Sequence, residues 1–363
     1  MAECPGCELL PEPLPTTGRL CLWPPLGHTM GKLRRALVDA GVEIDEMEGG
    51  CLSAEASPQL FGALQQVAEA DLSEVERDQC KYLHLPQGGK PSLVDFGRVN
   101  SLTHLLAHVS GRWLVELLAE RRLTTHFQPI VHTADPERVF AFECLVRGID
   151  RSGGLISPAK LYDSARSANL LYHLDRSSRL QHISAARRSG VVSNYFINFN
   201  PTSIYDPEFC LRSTVAAIAE TDLSPSSFVF EVVESDHVSD VQRLPKILDY
   251  FRQAGFRVAL DDLGAGFSSL NLLSMLKPDF VKLDMQLIRG IDENPYKAEL
   301  VSKLIESAHN LHIEVVAEGV ETVGEWNWAA AHGADYAQGY LFGKPQGTPQ
   351  PSCAAEVVAS SWR

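Results

Sequence analysis

The 363-residue sequence lacks an uninterrupted apolar run of the roughly 18 residues that a membrane-spanning helix requires. Its first residues also lack a basic region followed by a continuous apolar stretch, which is the pattern of a secretion signal. These two absences predict a cytoplasmic protein that has no membrane partner.

Positive charge is scarce as well, because 46 acidic residues stand against 32 basic ones and give a formal net charge of −14. A protein that grips long nucleic acid needs clustered Lys and Arg, usually with aromatic residues between them. The sequence has no such groove pattern, so nucleic acid is not expected as a partner. An anionic substrate would be bound with the help of a metal ion.

The eight cysteines follow no disulfide spacing, and in a chain of this length we expect reduced thiols and no structural disulfide. Cys4-Pro-Gly-Cys7 has the spacing of half a zinc site, but no second pair with that spacing follows. Cys21, His28 and Cys80 would complete a site only if the fold gathers them. A flexible N-terminal tail with two incidental thiols is the favoured interpretation.

The first part of the chain, residues 1–97, differs in pattern from the rest and predicts a small α/β (α+β sandwich) domain. After a proline-rich start, a strand is predicted at 19–23, strands broken at Gly49-Gly50 within 42–54, and helices at 30–40 and 58–70, followed by an apolar stretch around 82–85. The stretch 86–91, which contains two prolines and two glycines, is the predicted linker. Residues 98–123 carry apolar residues at helical spacing and are predicted to form a connecting helix.

Residues 124–350 alternate short β-like and helical segments, which is typical of a closed (β/α)8 TIM-type barrel; residues 351–363 form a C-terminal tail. The eight predicted strands are 125–131, 139–147, 194–200, 227–234, 257–262, 280–284, 314–318 and 335–340. Helices are predicted at 158–170, 241–254 and 297–310, among others.

The first two strands break the alternation, because only about eight residues separate Val131 from Phe140 and a parallel crossover needs a dozen or more. The sequence therefore predicts an antiparallel hairpin and a reversed first strand. This pairing places Gln128 beside Glu143, so that both side chains face one mouth of the barrel.

Polar residues stand where the predicted strands end, which is where barrel enzymes place their chemistry. They are Glu143, Asn198, Glu231, Asp261, Asp262, Lys282, Glu318 and Gln338. Side chains alternate along a strand, so Glu143, Leu145 and Arg147 share a face. Crowded carboxylates repel one another unless a cation intervenes, and oxygen ligands suit Mg²⁺ or Mn²⁺. The adjacent Asp261 and Asp262 predict a site for two ions, as in phosphodiester cleavage.

The ordered set of motifs resembles the EAL-domain cyclic-di-GMP phosphodiesterases from about Leu114 to Pro345. The matching strings are Phe127-Gln-Pro-Ile130, Glu143-Cys-Leu-Val-Arg147, Ile197-Asn198, Glu231-Val-Val-Glu234, Asp261-Asp-Leu-Gly-Ala-Gly266, Ser268-Ser-Leu270, Lys282-Leu-Asp284, Glu318-Gly-Val-Glu321 and Gln338-Gly-Tyr340. The resemblance implies hydrolysis of cyclic-di-GMP to linear pGpG with two Mg²⁺ or Mn²⁺ ions, and a homodimer.

The resemblance also implies a role for each matching residue. One ion would be held by Glu143, Asn198, Glu231 and Asp261, and the other by Asp261, Asp262 and Glu318. The catalytic group would comprise Lys282, which contacts the attacking water, with Glu318, Asp261 and Asp262. Substrate or water would be positioned by Gln128, Leu145, Arg147 and Gln338. Support for the surrounding loops would come from Glu234, Glu321 and Asp284.

The departures from the family pattern leave these residues in place. Cys144 replaces an alanine, Val233 a threonine and Asn200 a serine, and none of the three is an expected ligand. A catalytically weak or inactive cyclic-di-GMP receptor is the alternative function, but the retained ligands and lysine favour the enzyme. No Gly-Gly-[Asp/Glu]-Glu-Phe string is present, so synthesis of the dinucleotide is not expected.

Two further expectations concern residues outside the motifs. The N-terminal domain occupies the position of a sensor and is predicted to regulate the barrel in response to an unknown ligand or partner. Glu325 has no partnering motif and is predicted to be a solvated surface charge, as are Asp292, Glu293 and Glu299.

Overall fold

A computed structural model describes residues 10, 17–204, 206–233, 244–264 and 269–350. Grouping by contacts separates two compact units, of which the smaller comprises Leu9–Glu120 and Tyr162–Leu171 and the larger most of the rest. The domain boundaries predicted from the sequence stay predictions. Within the described part of the chain, no helix is both long and apolar enough to cross a membrane.

The smaller unit is built around a five-stranded antiparallel sheet. Its strands are β1 (Arg19–Trp23), β2 (Asp45–Met47), β3 (Cys51–Glu55), β4 (Lys81–Leu85) and β5 (Asn100–Ser101), and its helices are α1 (Gly27–Asp39), α2 (Pro58–Ala70), α3 (Glu74–Gln79) and α4 (Leu102–Ala119). The strand order β2-β3-β1-β4-β5 joins two split β-α-β units, as in ferredoxin-like folds. The predicted α/β pattern is thus confirmed, with β5 as an additional edge strand.

The two faces of this sheet bury different sets of side chains, because side chains alternate along each strand. Leu20, Leu22 and Leu52 pack with residues of α1, α2 and α4 in one apolar cluster that also holds Cys80. Cys21 lies in a second cluster on the opposite face. His28 instead lies 3.2 Å from the carboxylate of Glu76. The fold therefore does not gather Cys21, His28 and Cys80 into one site, while Cys4 and Cys7 lie outside the described residues.

The larger unit contains a closed barrel of eight strands. From Leu123 onward the chain runs through β6 (Leu123–His132), β7 (Asp135–Ile149), β8 (Leu155–Ile156), α5 (Pro158–Ser167), α6 (Leu171–Ser189), β9 (Asn194–Phe199), α7 (Pro207–Cys210), α8 (Arg212–Ala219), β10 (Phe228–Val233), α9 (Leu244–Gln253), β11 (Arg257–Leu263), α10 (Ser269–Leu276), β12 (Phe280–Leu283), α11 (Met285–Ile288), α12 (Pro295–Asn310), β13 (Glu314–Ala317), α13 (Val323–Ala331) and β14 (Tyr336–Gln338). The part of α5 from Tyr162 onward is grouped with the smaller unit. The order β6-β14-β13-β12-β11-β10-β9-β7 closes through a pairing of β6 with β7.

The reversed first strand is confirmed, since β6 pairs antiparallel with both β7 and β14 whereas the remaining barrel neighbours are parallel. Gln128 lies directly opposite Glu143 in the β6–β7 register, as predicted. The short edge strand β8 and the long helix α6 were not predicted. Buried polar residues on α6, among them Asp175, Arg179 and His182, hide its helical periodicity.

The barrel interior holds an apolar layer to which every barrel strand contributes one residue. These are Ile130, Ala141, Phe196, Val229, Ala259, Phe280, Val316 and Tyr336, with Phe140 packed against them. The rings of Phe140 on β7 and Phe280 on β12 lie 5.9 Å apart although their strands are on opposite sides of the barrel. This layer, called the apolar floor below, fills the barrel from wall to wall.

Candidate active site

A ring of polar side chains lies directly above the apolar floor. Moving two positions along each strand from a floor residue, toward the carboxyl ends of the parallel strands, reaches Gln128, Glu143, Asn198, Glu231, Asp261, Lys282, Glu318 and Gln338. Because side chains alternate with period two, all eight point to the same interior as the floor. The strand-end residues predicted from the sequence are therefore brought together by the closure of the barrel.

Lys282 stands at the centre of this ring and is 1% exposed. Its Nζ lies 2.6 Å from Glu318, 2.7 Å from Glu231, 3.2 Å from Asp261 and 3.8 Å from Glu143. One ammonium group thus faces four carboxylates that come from four different strands. The arrangement has an excess of negative charge that a single lysine cannot balance.

Two amide side chains orient the carboxylate of Glu143. Gln338 donates from Nε2 to Oε2 at 2.5 Å, and Asn198 donates from Nδ2 to Oε1 at 3.2 Å. Gln128 lies opposite in the register and donates from Nε2 to the carbonyl of Gly343 at 3.4 Å. Within the described part of the chain, Oε1 of Gln338 receives no hydrogen bond and is available to a cation or a water molecule.

Several buried oxygens of the ring are short of donors. Among the described residues, no directed hydrogen bond reaches either carboxylate oxygen of Glu231, which has only the ion pair with Lys282, and none reaches Oε1 of Gln338. Asp261, Asp262 and Glu318 can also bring one oxygen each to within 4.8 Å of one another. Carboxylate and amide oxygens that receive no hydrogen bond are the kind of ligand that Mg²⁺ and Mn²⁺ bind. The residues present therefore fit a divalent cation.

The pKa values in the ring show how strongly burial and crowding act on it. Burial raises the pKa of Glu231 and of Glu318 well above the usual value, and neighbouring carboxylates add to the effect while Lys282 opposes it. Burial acts to lower the pKa of Lys282, but Asp261, Glu143 and the other carboxylates outweigh it and raise that pKa well above the usual value. Lys282 is accordingly an ammonium ion at neutral pH in the absence of metal.

Asp262 holds an unusual backbone conformation beside the ring. Its φ is +56°, in the left-handed region that aspartate tolerates better than most side chains. Its amide donates to Oδ1 of Asp261 at 3.0 Å, and burial together with Asp261 and Asp284 raises its pKa to about 6. The turn thus presents two consecutive carboxylates to one side of the site.

A cavity of about 300 Å³ opens beside the ring. Seven of the predicted residues line it, namely Gln128, Glu143, Asp262, Asp284, Glu318, Glu321 and Gln338. The lining also includes Met285, Arg289 and Tyr340, which sequence reasoning missed. Tyr340 ends the predicted Gln338-Gly-Tyr340 motif, whereas nothing in the sequence marks Met285 or Arg289. They become visible only once α11 is placed beside the loop after β13.

The loops around this cavity are tied together by ion pairs and caps. Arg289 forms an ion pair with Glu321, and Asp284 caps α11 by accepting the amide of Gln286 at 2.9 Å. Glu325 was predicted to be a solvated charge, and that prediction is wrong. It is 2% exposed and accepts backbone amides of Gly290, Glu321 and Thr322 at 2.8–3.1 Å. In the sequence alone, a carboxylate that caps a helix cannot be told from a surface charge, because the loop whose amides it accepts is not known.

The remaining predicted residues lie away from the cavity lining or outside the described part. Leu145 and Arg147 stand further along β7, opposite His126 and Thr124. Burial lowers the pKa of Arg147, while Glu143 and Tyr340 act against that shift, so its guanidinium lies within electrostatic reach of the mouth. Glu234 lies outside the described residues, as do residues 265–268, which fall within the two motifs that follow Asp261.

Comparison with known proteins places this geometry in a family. Residues 112–345 match the EAL domain family. The chain is 30% identical over 259 residues, 69% of its length, to "Cyclic di-GMP phosphodiesterase NbdA" of Pseudomonas aeruginosa, covering 32% of that protein. An "Uncharacterized signaling protein" of Caulobacter vibrioides is 31% identical over 236 residues, 65% of this chain and 29% of that protein. The chain thus spans about a third of the length of these curated relatives.

Solved structures agree with the fold. A standalone EAL protein from Vibrio cholerae O395, in its c-di-GMP bound form, is 33% identical with a TM-score of 0.59, covering 65% of this chain and 97% of that one. The calcium/cy-diGMP complex of BlrP1 from Klebsiella pneumoniae is 24% identical with a TM-score of 0.57 and covers 90% of this chain and 96% of that one, a likeness of fold. With the polar ring in place and the family match covering most of its length, the chain belongs to the EAL domain family.

Proposed function

We propose that the barrel hydrolyses cyclic-di-GMP to linear pGpG with the help of two Mg²⁺ or Mn²⁺ ions. One observation carries the proposal: a buried lysine stands among four carboxylates at the carboxyl ends of parallel strands, and among the described residues Oε2 of Glu231 and Oε1 of Gln338 receive no hydrogen bond. The names of the curated relatives, several of which are cyclic-di-GMP phosphodiesterases, support the substrate.

The donor set divides naturally into two groups around Asp261. Glu143, Asn198, Glu231 and Asp261 would hold one ion, and Asp261, Asp262 and Glu318 the other. When bound, the ions would neutralise the crowded carboxylates, activate a water molecule and stabilise charge on the phosphate. The two amides that hold Glu143 fix the direction of its oxygens, which is a common way to orient a ligand from outside.

Lys282 would act through its positive charge. As an ammonium group among carboxylates, it would donate hydrogen bonds toward an attacking water or a phosphate oxygen. In the balanced reaction, the water oxygen bonds to phosphorus and the bond from phosphorus to a ribose 3′ oxygen breaks. The 3′ oxygen takes up a proton, and the product carries one 5′ phosphate and one free 3′ hydroxyl.

The cavity beside the ring would receive part of the dinucleotide. At about 300 Å³ it lies at the small end of ligand pockets, which suits one nucleotide half rather than the whole molecule. Tyr340 and Met285 offer aromatic and thioether surfaces against which a base can stack. Arg289 brings a guanidinium group to the same wall.

The test is hydrolysis of cyclic-di-GMP by the full chain with Mg²⁺ or Mn²⁺, with pGpG separated by chromatography and EDTA as the control. We expect metal-dependent pGpG from the natural chain and none from Lys282→Met. The matched control is Lys303→Met, an exposed lysine paired with Glu306. Cyclic-di-GMP binding without any pGpG would replace this proposal by the receptor function.

We further propose that the N-terminal unit regulates the barrel and that the protein is a homodimer. The position of a separate α/β unit before the barrel supports the first proposal, and family resemblance supports the second. Light scattering on the purified chain tests the dimer. If a chain without residues 1–97 kept its activity, metal affinity and oligomeric state, the regulatory proposal would be abandoned.

A further inference from the structure

The outer face of the N-terminal sheet, which faces away from α1 and α2, buries an unusual group of sulfur-containing side chains. Cys21 is 0% exposed and Cys51 is 2% exposed, and they form one apolar cluster with Leu83 and Leu85. Met47 and Trp23 pack against this cluster. Both thiols are free.

The strand register sets these side chains next to one another. Met47 on β2 lies directly opposite Cys51 on β3, and Ser53 on β3 lies directly opposite Cys21 on β1. Cys21 and Cys51 are therefore diagonal neighbours on the same face. Two thiols, one thioether and one hydroxyl are thus brought together by three adjacent strands.

The Ser53 hydroxyl gives a second, independent observation. Ser53 is 1% exposed, and its Oγ has no hydrogen-bond partner among the described residues. A buried hydroxyl without a partner is costly and calls for a ligand or another explanation. Ser53 lies directly opposite Cys21 and two residues from Cys51, on the face that both cysteines share.

The register positions of Cys21 and Cys51 suit a shared ion better than a disulfide. Diagonal neighbours in a sheet lie roughly 7–8 Å apart at Cα, which is beyond the usual reach of a disulfide without backbone movement. Cys21 and Cys51 nevertheless belong to one small buried cluster on the same face of the sheet. Two sulfurs bound to one metal at about 2.3 Å would be separated by roughly 4 Å, a gap that side chains of diagonal neighbours can span.

We infer that Cys21, Cys51 and Met47 form a binding site for a soft monovalent cation, Cu⁺, with Ser53 beside it. Thiolate and thioether ligands select Cu⁺, whereas structural zinc sites take four stronger donors. Binding of one Cu⁺ to two thiols releases two protons and leaves one net negative charge. Arg19 lies on the same face as Cys21 and forms an ion pair at 2.6 Å with Asp45, on the strand that also carries Met47.

The test is an anaerobic titration of the full chain with Cu⁺ against bicinchoninate. Cys4→Ser and Cys7→Ser are introduced first, so that the paired N-terminal thiols cannot contribute. We expect one bound Cu⁺ per chain and a sulfur shell near 2.3 Å by X-ray absorption, as for a thiolate site.

Two substitutions with matched controls decide the ligands. Cys51→Ala should lower Cu⁺ affinity at least 100-fold while Cys80→Ala, a buried thiol of the other cluster, leaves it unchanged. Met47→Leu keeps the side-chain volume and should lower affinity at least tenfold while Met30→Leu does not. If Cys51→Ala fails to fold, the methionine pair decides alone.

Three results would overturn the inference. These are loss of all Cu⁺ to the competitor, equal affinities in a substituted chain and its control, and a Cys21–Cys51 disulfide that forms in air with no retained metal. Because the readout is copper affinity, none of them bears on the proposed activity of the barrel.

Discussion

Replacing Lys282 by methionine removes the one ammonium group from the polar ring and leaves four carboxylates facing one another. With all groups ionised, the formal charge of these five side chains would change from −3, which is four carboxylates and one ammonium, to −4. Methionine fills a similar volume, so the loss is electrostatic rather than steric. The effect should be largest in EDTA, where no cation can take the place of the lysine.

The size of the expected loss of unfolding free energy follows from the burial of the ion pairs around Lys282. Two of the contacts are shorter than 3 Å, and Lys282 and Glu231 are 1% and 0% exposed, so water screens them poorly. Breaking a buried pair by removing one partner costs about 3–5 kcal/mol of unfolding free energy. In a domain of this size that lowers Tm by roughly 6–20 °C.

The raised pKa values decide in which direction the unfolding free energy changes with pH. The folded-state pKa values of Glu231 and Glu318 are raised above 4.5, so between 4.5 and the raised values the folded state binds more protons than the unfolded state. The unfolding free energy of the metal-free protein must therefore fall as pH rises through that window. Lys282→Met raises both pKa values further, and its stability should fall more steeply with pH.

Urea unfolding in EDTA from pH 5 to pH 8, repeated with excess Mg²⁺, measures these differences. Lys303→Met serves as the exposed control and should stay within about 0.5 kcal/mol of the natural chain. Mg²⁺ should stabilise Lys282→Met more than the natural chain in EDTA-free buffer. A Lys282→Met chain that unfolds within 1 kcal/mol of the natural one at pH 8, with the same pH slope, would refute the electrostatic reasoning.

Three other substitutions test different parts of the site. Glu143→Gln keeps the shape of the side chain but removes the charge of a proposed ligand. It should lower Mn²⁺ affinity about 10–100-fold and turnover at least as much, measured by calorimetry and pGpG release. Gly319→Ala should lower the unfolding free energy by about 1–3 kcal/mol, measured with urea, because φ at Gly319 is +67° and a Cβ there would lie 2.4 Å from Cβ of Met285. Gly347 has open space around it, so Gly347→Ala should change the unfolding free energy little. Arg289→Met should raise KM about tenfold and change kcat less than threefold, because the cavity wall loses charge but the ring is untouched; a fall in kcat alone would contradict this placement.

The sequence predicts the barrel and its ring because both depend on local periodicity. Phe280 and Lys282 illustrate the rule: alternation puts both side chains into the interior, and their order along the strand puts the apolar one below and the charged one above. The hairpin of β6 and β7 follows in the same way from the shortness of the loop between Val131 and Phe140.

Residues whose role depends on contacts between distant loops could not be predicted this way. Arg289 reaches Glu321 across 32 positions, and Glu325 accepts an amide from Gly290 across 35 positions. Neither pairing leaves a periodic trace in the sequence. Likewise, Cys21 and Cys51 become neighbours only through the register of β1 on β3, in which a shift of one residue would send one of them to the other face.

The apolar floor also decides how molecules can move through the barrel. Its rings fill the interior from one strand to the opposite one, so the described barrel is a cup rather than a tube. In the described barrel, a molecule that reaches the polar ring must enter from the carboxyl-end side of the parallel strands and leave from that same side. If the proposed hydrolysis takes place there, product and substrate compete for one side of the barrel, whichever residues form the ring.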